Sequence, residues 1–192
     1  MKLSWLKHLQ FRLSGLIGPR MVYGFRRGDG TLLRRTRISN MTRIDCPDQL
    51  MIEDNVYVGH FNLLDASNGL SIRSGCQITN YVTVLTHSSH LAIRLYGDAY
   101  LDHQRHIGYL RKPTELGPYS FIGPHSVLMP GVYLGKGTLV YAYSFVPAGA
   151  YPDFAILRGN PARVIGDTRV KDAEWLDEHP QLKPFYAAWA DG

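Results

Sequence analysis

The 192-residue chain is predicted to fold as an all-β solenoid, and three observations predict it. An aliphatic residue returns at every sixth position through Leu116, Ile122, Leu128, Leu134, Val140 and Val146. The position after each of the first five holds Gly117, Gly123, Met129, Gly135 and Tyr141. The position four after each of the first five holds Ser120, Ser126, Val132, Thr138 and Ser144, all small or β-branched. Six matches neither the helical period nor the strand period. It is the repeat of a coil whose flat sides each use one hexapeptide. Large aliphatic side chains are expected to fill the interior and small ones the tight corners, with glycine supplying the backbone angles a corner needs.

The same frame runs upstream through Ile52, Val58, Leu64, Ile72, Ile78 and Val84, with Val56, Asn62, Cys76 and Val82 in the small slot. Ile38, Ile44 and Leu50 also fall six apart and are taken as the start of the coils. Leu64 and Ile72 are eight apart, so Asp65-Ala66-Ser67-Asn68-Gly69 reads as a bulged corner. After Val84 the period stops and resumes at Leu116, which makes residues 86–115 an excursion from one corner. Loops of that length are usually functional or disordered.

Residues 1–37 form a basic N-terminal segment. Lys2, Lys7, Arg12, Arg20, Arg26, Arg27, Arg34, Arg35 and Arg37 stand against Asp29 alone, and the whole chain carries a net charge of +5. Leu6, Leu9, Leu13, Leu16 and Ile17 recur at helical spacing beside Trp5 and Phe11. Two readings of this helix stay open: a cap over the open end of the solenoid, and an amphipathic helix on an anionic membrane surface. No nucleic-acid motif accompanies the charge, so nucleic-acid binding is not expected. No run reaches the roughly 18 apolar residues of a membrane span, and no secretory leader is evident. Cys46 and Cys76 give no disulfide framework; a cytoplasmic protein is expected, at the inner face of the membrane if the basic segment binds lipid. Residues 38–166 form the solenoid domain and residues 167–192 a helical tail. In the tail Asp172 is expected to cap a helix that ends at Pro180, with a second helix near Phe185 and Trp189.

A solenoid says nothing of reaction class, so chemistry is sought where the coil is interrupted. The loop opens with Thr86-His87-Ser88-Ser89-His90. His87 stands three residues after Val84, anchored by the rigid coil on one side and open to the loop on the other. A neutral imidazole there suits proton removal from a hydroxyl; the plainer reading is a histidine bonded to a turn. His90 lies further into the loop and is a weaker choice.

The hexads, the Thr86-His87 pair at the root of the loop, and Gly159-Asn160-Pro161-Ala162-Arg163-Val164-Ile165 after the last coil resemble the hexapeptide-repeat acyltransferases. The likeness is greatest to the maltose and galactoside O-acetyltransferases and their polysaccharide-modifying relatives, and covers residues 38–167. The resemblance implies a left-handed parallel β-helix with a long loop excursion and short terminal helices. It also implies a homotrimer, acetyl-CoA as co-substrate between adjacent subunits, and no metal.

Matched position by position, the resemblance makes His87 the general base and Asn62 and Asp65 the acceptor-side contacts; His60 replaces the first Asn of the family's stretch. Asn62 and Asp65 equally suit turn-forming roles. Gly123, Pro124 and Ala142 fall along the pantetheine arm, where small side chains let a thin chain lie against backbone, with Phe121 as an aromatic wall and Tyr141 and Tyr143 narrowing the groove. Gly159 and Arg163 belong to the turn that meets the CoA phosphates. Arg158 is either a second phosphate ligand or a solvated arginine. The implied reaction is direct acetyl transfer to a hydroxyl of a sugar or glycan precursor, with no acyl-enzyme. The loop residues Arg94, Tyr96, Tyr100, Arg105, His106, Tyr109, Arg111 and Lys112 suit an acidic or phosphorylated sugar, and equally an ordinary exposed loop. Two other readings are a zinc enzyme of carbonic anhydrase type drawing on His87, His103, His106 and His125, and a scaffold without catalysis.

Overall fold

The computed structural model of the protein describes residues 18–191; the expected helix at residues 3–17 lies outside them. Three sheets are visited in rotation. The chain passes through the first sheet at Leu32–Ser39, the second at Arg43–Asp45 and the third at Leu50–Ile52, then repeats the cycle. Each strand pairs in parallel with the strand one turn later, as Ile38 with Val58, Leu64 with Val84 and Leu116 with Leu134. From Arg43 to Tyr151 the strands of these three sheets are two or three residues long, because a side of one hexapeptide leaves no more once its turn is made.

The repeat predicts the interior well. The twelve aliphatic positions at Ile52, Val58, Leu64, Ile72, Ile78, Val84, Leu116, Ile122, Leu128, Leu134, Val140 and Val146 are all 0% exposed. The small slot is buried beside them, from Val56 and Cys76 to Ser126 and Thr138. Its hydroxyls are satisfied by backbone carbonyls: Thr138 Oγ1 donates to Gly135 O at 2.7 Å and Ser126 Oγ to Tyr141 O at 3.0 Å. Unpaired, each would cost about 1–3 kcal/mol in such a core.

The glycines serve a different purpose from the one expected. Gly117, Gly123 and Gly135 do not take left-handed angles; they sit where neighbouring coils touch. A Cβ on Gly123 would lie 2.5 Å from the Ala142 nitrogen. The left-handed angles fall two residues later. Between the first and second sheets they are held by Phe61, Tyr81, His125 and Tyr143, with φ of 60°, 60°, 59° and 59°. Bulky residues rarely adopt this region. Here their rings stack along the coil axis, with centroids 5.1, 4.8 and 4.8 Å apart in succession.

The ends depart from the hexad. Residues 18–37 contain no helix: Met21–Arg26 pairs antiparallel with Leu32–Ser39, which itself begins the first sheet. The coil also runs past Val146, through Gly149–Tyr151 in the third sheet and Ala155–Gly159 in the first. Spacing conceals this last turn, because Leu157 is the next buried aliphatic residue and lies out of frame. Ala162–Asp167 folds back antiparallel on Ala155–Gly159. The helix Thr168–Glu178 is capped by Asp167, whose side chain accepts from Arg169 N. Asp172, expected as that cap, lies inside the helix and accepts from the Tyr186 hydroxyl at 3.2 Å. Lys183–Ala190 is the second tail helix; its Trp189 stacks on Tyr119 at 4.5 Å, which ties the tail to the coils.

Candidate active site

The bulge after Leu64 and the exit after Val84 are stacked on one another. Parallel pairing of Leu64 with Val84 puts Asp65 in the turn beneath Thr86 and His87. The extra residues let the chain curl back, so that Asp65 Oδ1 accepts Ser67 N at 2.9 Å. Oδ2 accepts Thr86 N and Thr86 Oγ1, both at 2.8 Å, and lies 2.7 Å from His87 Nδ1. Burial pushes the Asp65 carboxyl up, but hydrogen bonds from Ser67 and Thr86 outweigh it and hold the group well below the usual carboxylate range. An ionised Asp65 can only accept, so His87 Nδ1 carries a proton, and the tautomer this selects has its lone pair on Nε2. The His87 side chain is 38% exposed while Asp65 is 2% exposed. The pair is a solvent-facing imidazole on a buried carboxylate.

Asp65, expected as an acceptor-side contact, is buried beneath His87, with Oδ1 accepting from Ser67 N and Oδ2 facing Thr86 and His87 Nδ1. Asn62 is likewise buried. Its amide nitrogen donates to Gly59 O at 3.0 Å and Thr79 O at 2.8 Å, and its oxygen accepts from Val82 N at 2.7 Å. All three bonds are to backbone of its own and the adjacent coil. Ser67, unmarked in sequence, is the residue at hand: its hydroxyl is 3.2 Å from His87 Nδ1. Only the stacking of two coils reveals it.

The loop at residues 86–115 has structure of its own. It contains the helix His90–Tyr96, a 3₁₀ segment at Gly97–Asp102, and a return strand, Leu110–Arg111, antiparallel to His87–Ser88. Lys112 N donates to Thr86 O at 3.0 Å and Thr114 Oγ1 to Leu85 O at 2.8 Å, so the loop closes on its own root. The Tyr109 ring stacks against His87, centroids 5.7 Å apart. The Arg111 guanidinium lies 4.1 Å from the centre of the Tyr109 ring.

The proposed cofactor residues are elsewhere. Gly123, Pro124 and Ala142 lie in the turns that leave the first sheet for the second, and Gly159 and Arg163 lie on the hairpin at the end of the first sheet. His87 lies past the second sheet. Within one chain the two groups are separated by the second sheet and are not brought together. Gly123 is already required by the stacking of Ala142 on it, and its side-chain absence opens no cradle of its own. Ala142 is exposed. Arg158 and Arg163 are cross-strand partners on the hairpin, and both are exposed.

Of the four histidines considered as zinc ligands, His103 and His106 lie side by side with ring centroids 6.5 Å apart, but among the described residues no three potential ligands come together. His125 stacks between Tyr81 and Tyr143; His106 Nε2 is bonded to Tyr100 O at 2.6 Å; His87 is held by Asp65. Among the described residues no helix is long and apolar enough to cross a membrane.

No family model matches the chain. Carnitine operon protein CaiE of Proteus sp. is 27% identical over 120 residues, covering 61% of this chain and 54% of that protein. Serine acetyltransferase 2 of Arabidopsis thaliana is 26% identical over 161 residues, covering 84% of this chain and 44% of that protein. The chain thus spans about half the length of these curated relatives. Among solved structures, a maltose O-acetyltransferase from Clostridium difficile 630 superposes with a TM-score of 0.54 at 20% identity, covering 67% of this chain and 64% of that one. AntD, an N-acyltransferase from Bacillus cereus in complex with dTDP and 3-hydroxybutyryl-CoA, also gives 0.54 at 20% identity, covering 79% and 89%. At such identities the structural likeness speaks for the fold alone. In sequence the chain is similar to acetyltransferases, and in fold to a maltose O-acetyltransferase and to the N-acyltransferase AntD.

Proposed function

We propose that the protein is an acetyl-CoA-dependent O-acetyltransferase acting on a sugar or glycan precursor, with His87 as general base, working as a trimer of left-handed β-helices. The observation that carries the reading is the 2.7 Å contact of His87 Nδ1 with the buried, ionised Asp65. It sets the tautomer and leaves Nε2 as the nitrogen for an incoming hydroxyl. That nitrogen takes the hydroxyl proton as the oxygen attacks the thioester carbonyl. Asp65 then stabilises the imidazolium, which returns the proton to the departing thiolate. Neither cysteine is needed: Cys76 is buried, and burial pushes its thiol up to about 12.

The separation of His87 from the small-residue turns supports the trimer. A second copy, turning its Gly123, Ala142 and Arg163 edge toward the His87 edge of the first, would complete the site. The acetyl donor supplies an activated thioester. Arg158 and Arg163 would hold its phosphates, and the exposed backbone near Ala142 would flank its arm. AntD was crystallised with an acyl-CoA and a nucleotide, which supports a CoA donor and is compatible with a sugar-linked acceptor.

The test is thiol release from acetyl-CoA over a panel of sugars, sugar phosphates, nucleotide sugars and amines, with His87→Ala beside the wild type. Transfer to a hydroxyl that falls about 10²–10⁴-fold in His87→Ala, with the fold intact, is expected. Turnover undiminished in that variant, or transfer to amines alone, would sink the proposal.

A further inference from the structure

The return strand of the loop places a cation beside the proposed base. Arg111 is the direct cross-strand partner of His87, and such partners have Cβ atoms about 4.5–5.5 Å apart on one face. Tyr109, two residues earlier on the same face, touches both: its ring stacks on His87 at 5.7 Å and lies 4.1 Å from the Arg111 guanidinium. The strand itself is fixed by the bond from Lys112 N to Thr86 O, one residue from His87. The guanidinium is thus held rather than swinging free. It is exposed and makes no ion pair among the described residues. Asp65 is bonded to His87 and Thr86, and Glu115 to Arg73 at 2.8 Å.

We infer that Arg111 is a specificity-determining residue that selects an acceptor carrying a phosphate or carboxylate close to the hydroxyl presented to His87. This rests on the reading of His87 as the acceptor-facing base. The chemistry follows from the guanidinium fork, which offers paired donors in one plane to a phosphate or carboxylate. With Tyr109 holding the fork at the side of the imidazole, an anion bound there brings a neighbouring hydroxyl to Nε2. A neutral sugar gains nothing from it.

The anion can be tested without any acetyl donor. In the full chain with ring-labelled histidine, the His87 signal is assigned by its loss in His87→Gln and followed by NMR during titration with glucose 6-phosphate or glucose. Glucose 6-phosphate is expected to move the signal, and glucose at the same concentration is not. Arg111→Gln should weaken the phosphate response about 10-fold or more, the scale of a lost charge-assisted hydrogen bond. An equal response to glucose, no response to glucose 6-phosphate, or an undiminished response in Arg111→Gln overturns the inference. Adenosine 3′,5′-bisphosphate separates the two sources of phosphate: if it displaces glucose 6-phosphate, Arg111 serves the donor and the acceptor assignment is overturned. If thiol release fails with every acceptor while the response stays dependent on Arg111, the transferase reading falls and the anion site stands.

Discussion

The Asp65 carboxylate and the His87 imidazole meet at 2.7 Å although they are 22 positions apart in sequence, because Asp65 follows Leu64 and His87 follows its partner Val84 on the adjacent coil, by one and three residues. The eight-residue interval is what makes the meeting possible. A regular corner would carry the chain straight on to the third sheet, without the loop of Ser67 and Asn68 that packs against Thr86. Asn68 N donates to Thr86 Oγ1 at 3.1 Å, so the bulge and the loop root form one hydrogen-bonded unit.

Asp65→Asn separates orientation from bulk. The amide cannot accept from Thr86 and His87 with the strength of a carboxylate, and the Nδ1 proton loses its anionic partner. Turnover is expected to fall about 10²-fold or more, within the range a general base contributes. The stability effect has a pH signature. The folded carboxyl titrates below its ordinary value, so its stabilisation is whole above the unfolded value of about 3.9 and is lost as pH falls below that toward the depressed folded value. The difference in urea midpoint between wild type and Asp65→Asn is therefore widest near neutrality and shrinks below about pH 4. A gap independent of pH would show that Asp65 is not ionised in the folded protein.

Gly123→Ala tests whether the stacking of coils is rigid. Its added methyl would meet the Ala142 nitrogen at 2.5 Å and the Tyr141 carbonyl carbon at 2.8 Å. These are backbone atoms held in the parallel ladder, so they cannot swing aside as a side chain would. Overpacking of this kind costs about 1–3 kcal/mol, measured by chemical unfolding. The control is Gly30→Ala, where nothing lies within 4 Å and only the positive φ of 86° opposes the change. Equal effects at the two sites would mean that the coils part easily.

The two thiols should differ in reactivity. Cys46 is exposed, whereas Cys76 is buried with its Sγ donating to Gly117 O at 3.0 Å. Burial pushes the Cys76 thiol up to about 12, so it stays protonated and unreactive at neutral pH. A thiol reagent is expected to titrate one cysteine in the native protein and both in denaturant. Because the folded pKa is raised, the stability linked to Cys76 is whole below the unfolded value of about 8.5 and is lost as pH rises above it. Two fast-reacting thiols in the native protein would contradict the burial.

Much of the interior was legible because it is a local property. Whether Leu128 or Val140 points inward depends only on its place in a repeat of six, and all twelve of the strongest repeat positions are fully buried. Ile38, Ile44 and Leu50 follow the same spacing and pair with Val58, Leu64 and Leu70. The last turn through Leu157 was not legible, since its spacing breaks the repeat and only pairing with Leu139–Val140 reveals it. The Asp167 cap was missed because Asp172 has an equally good cap sequence, and the choice fell to the hairpin that delivers the chain to Thr168.

By itself the sequence determined which residues face the core, where the repeat breaks, and that His87 stands at a break. Periodicity carries that information along the chain without reference to distant contacts. Tertiary structure alone decided what surrounds His87. It set Asp65 against Nδ1, bonded Asn62 to its own and the adjacent coil, and brought Tyr109 with Arg111 from the far end of the loop. It also put Gly123, Ala142 and Arg163 on a different edge from His87. These outcomes depend on which coil stacks on which and how a loop returns, and such long-range pairings leave no trace in local spacing.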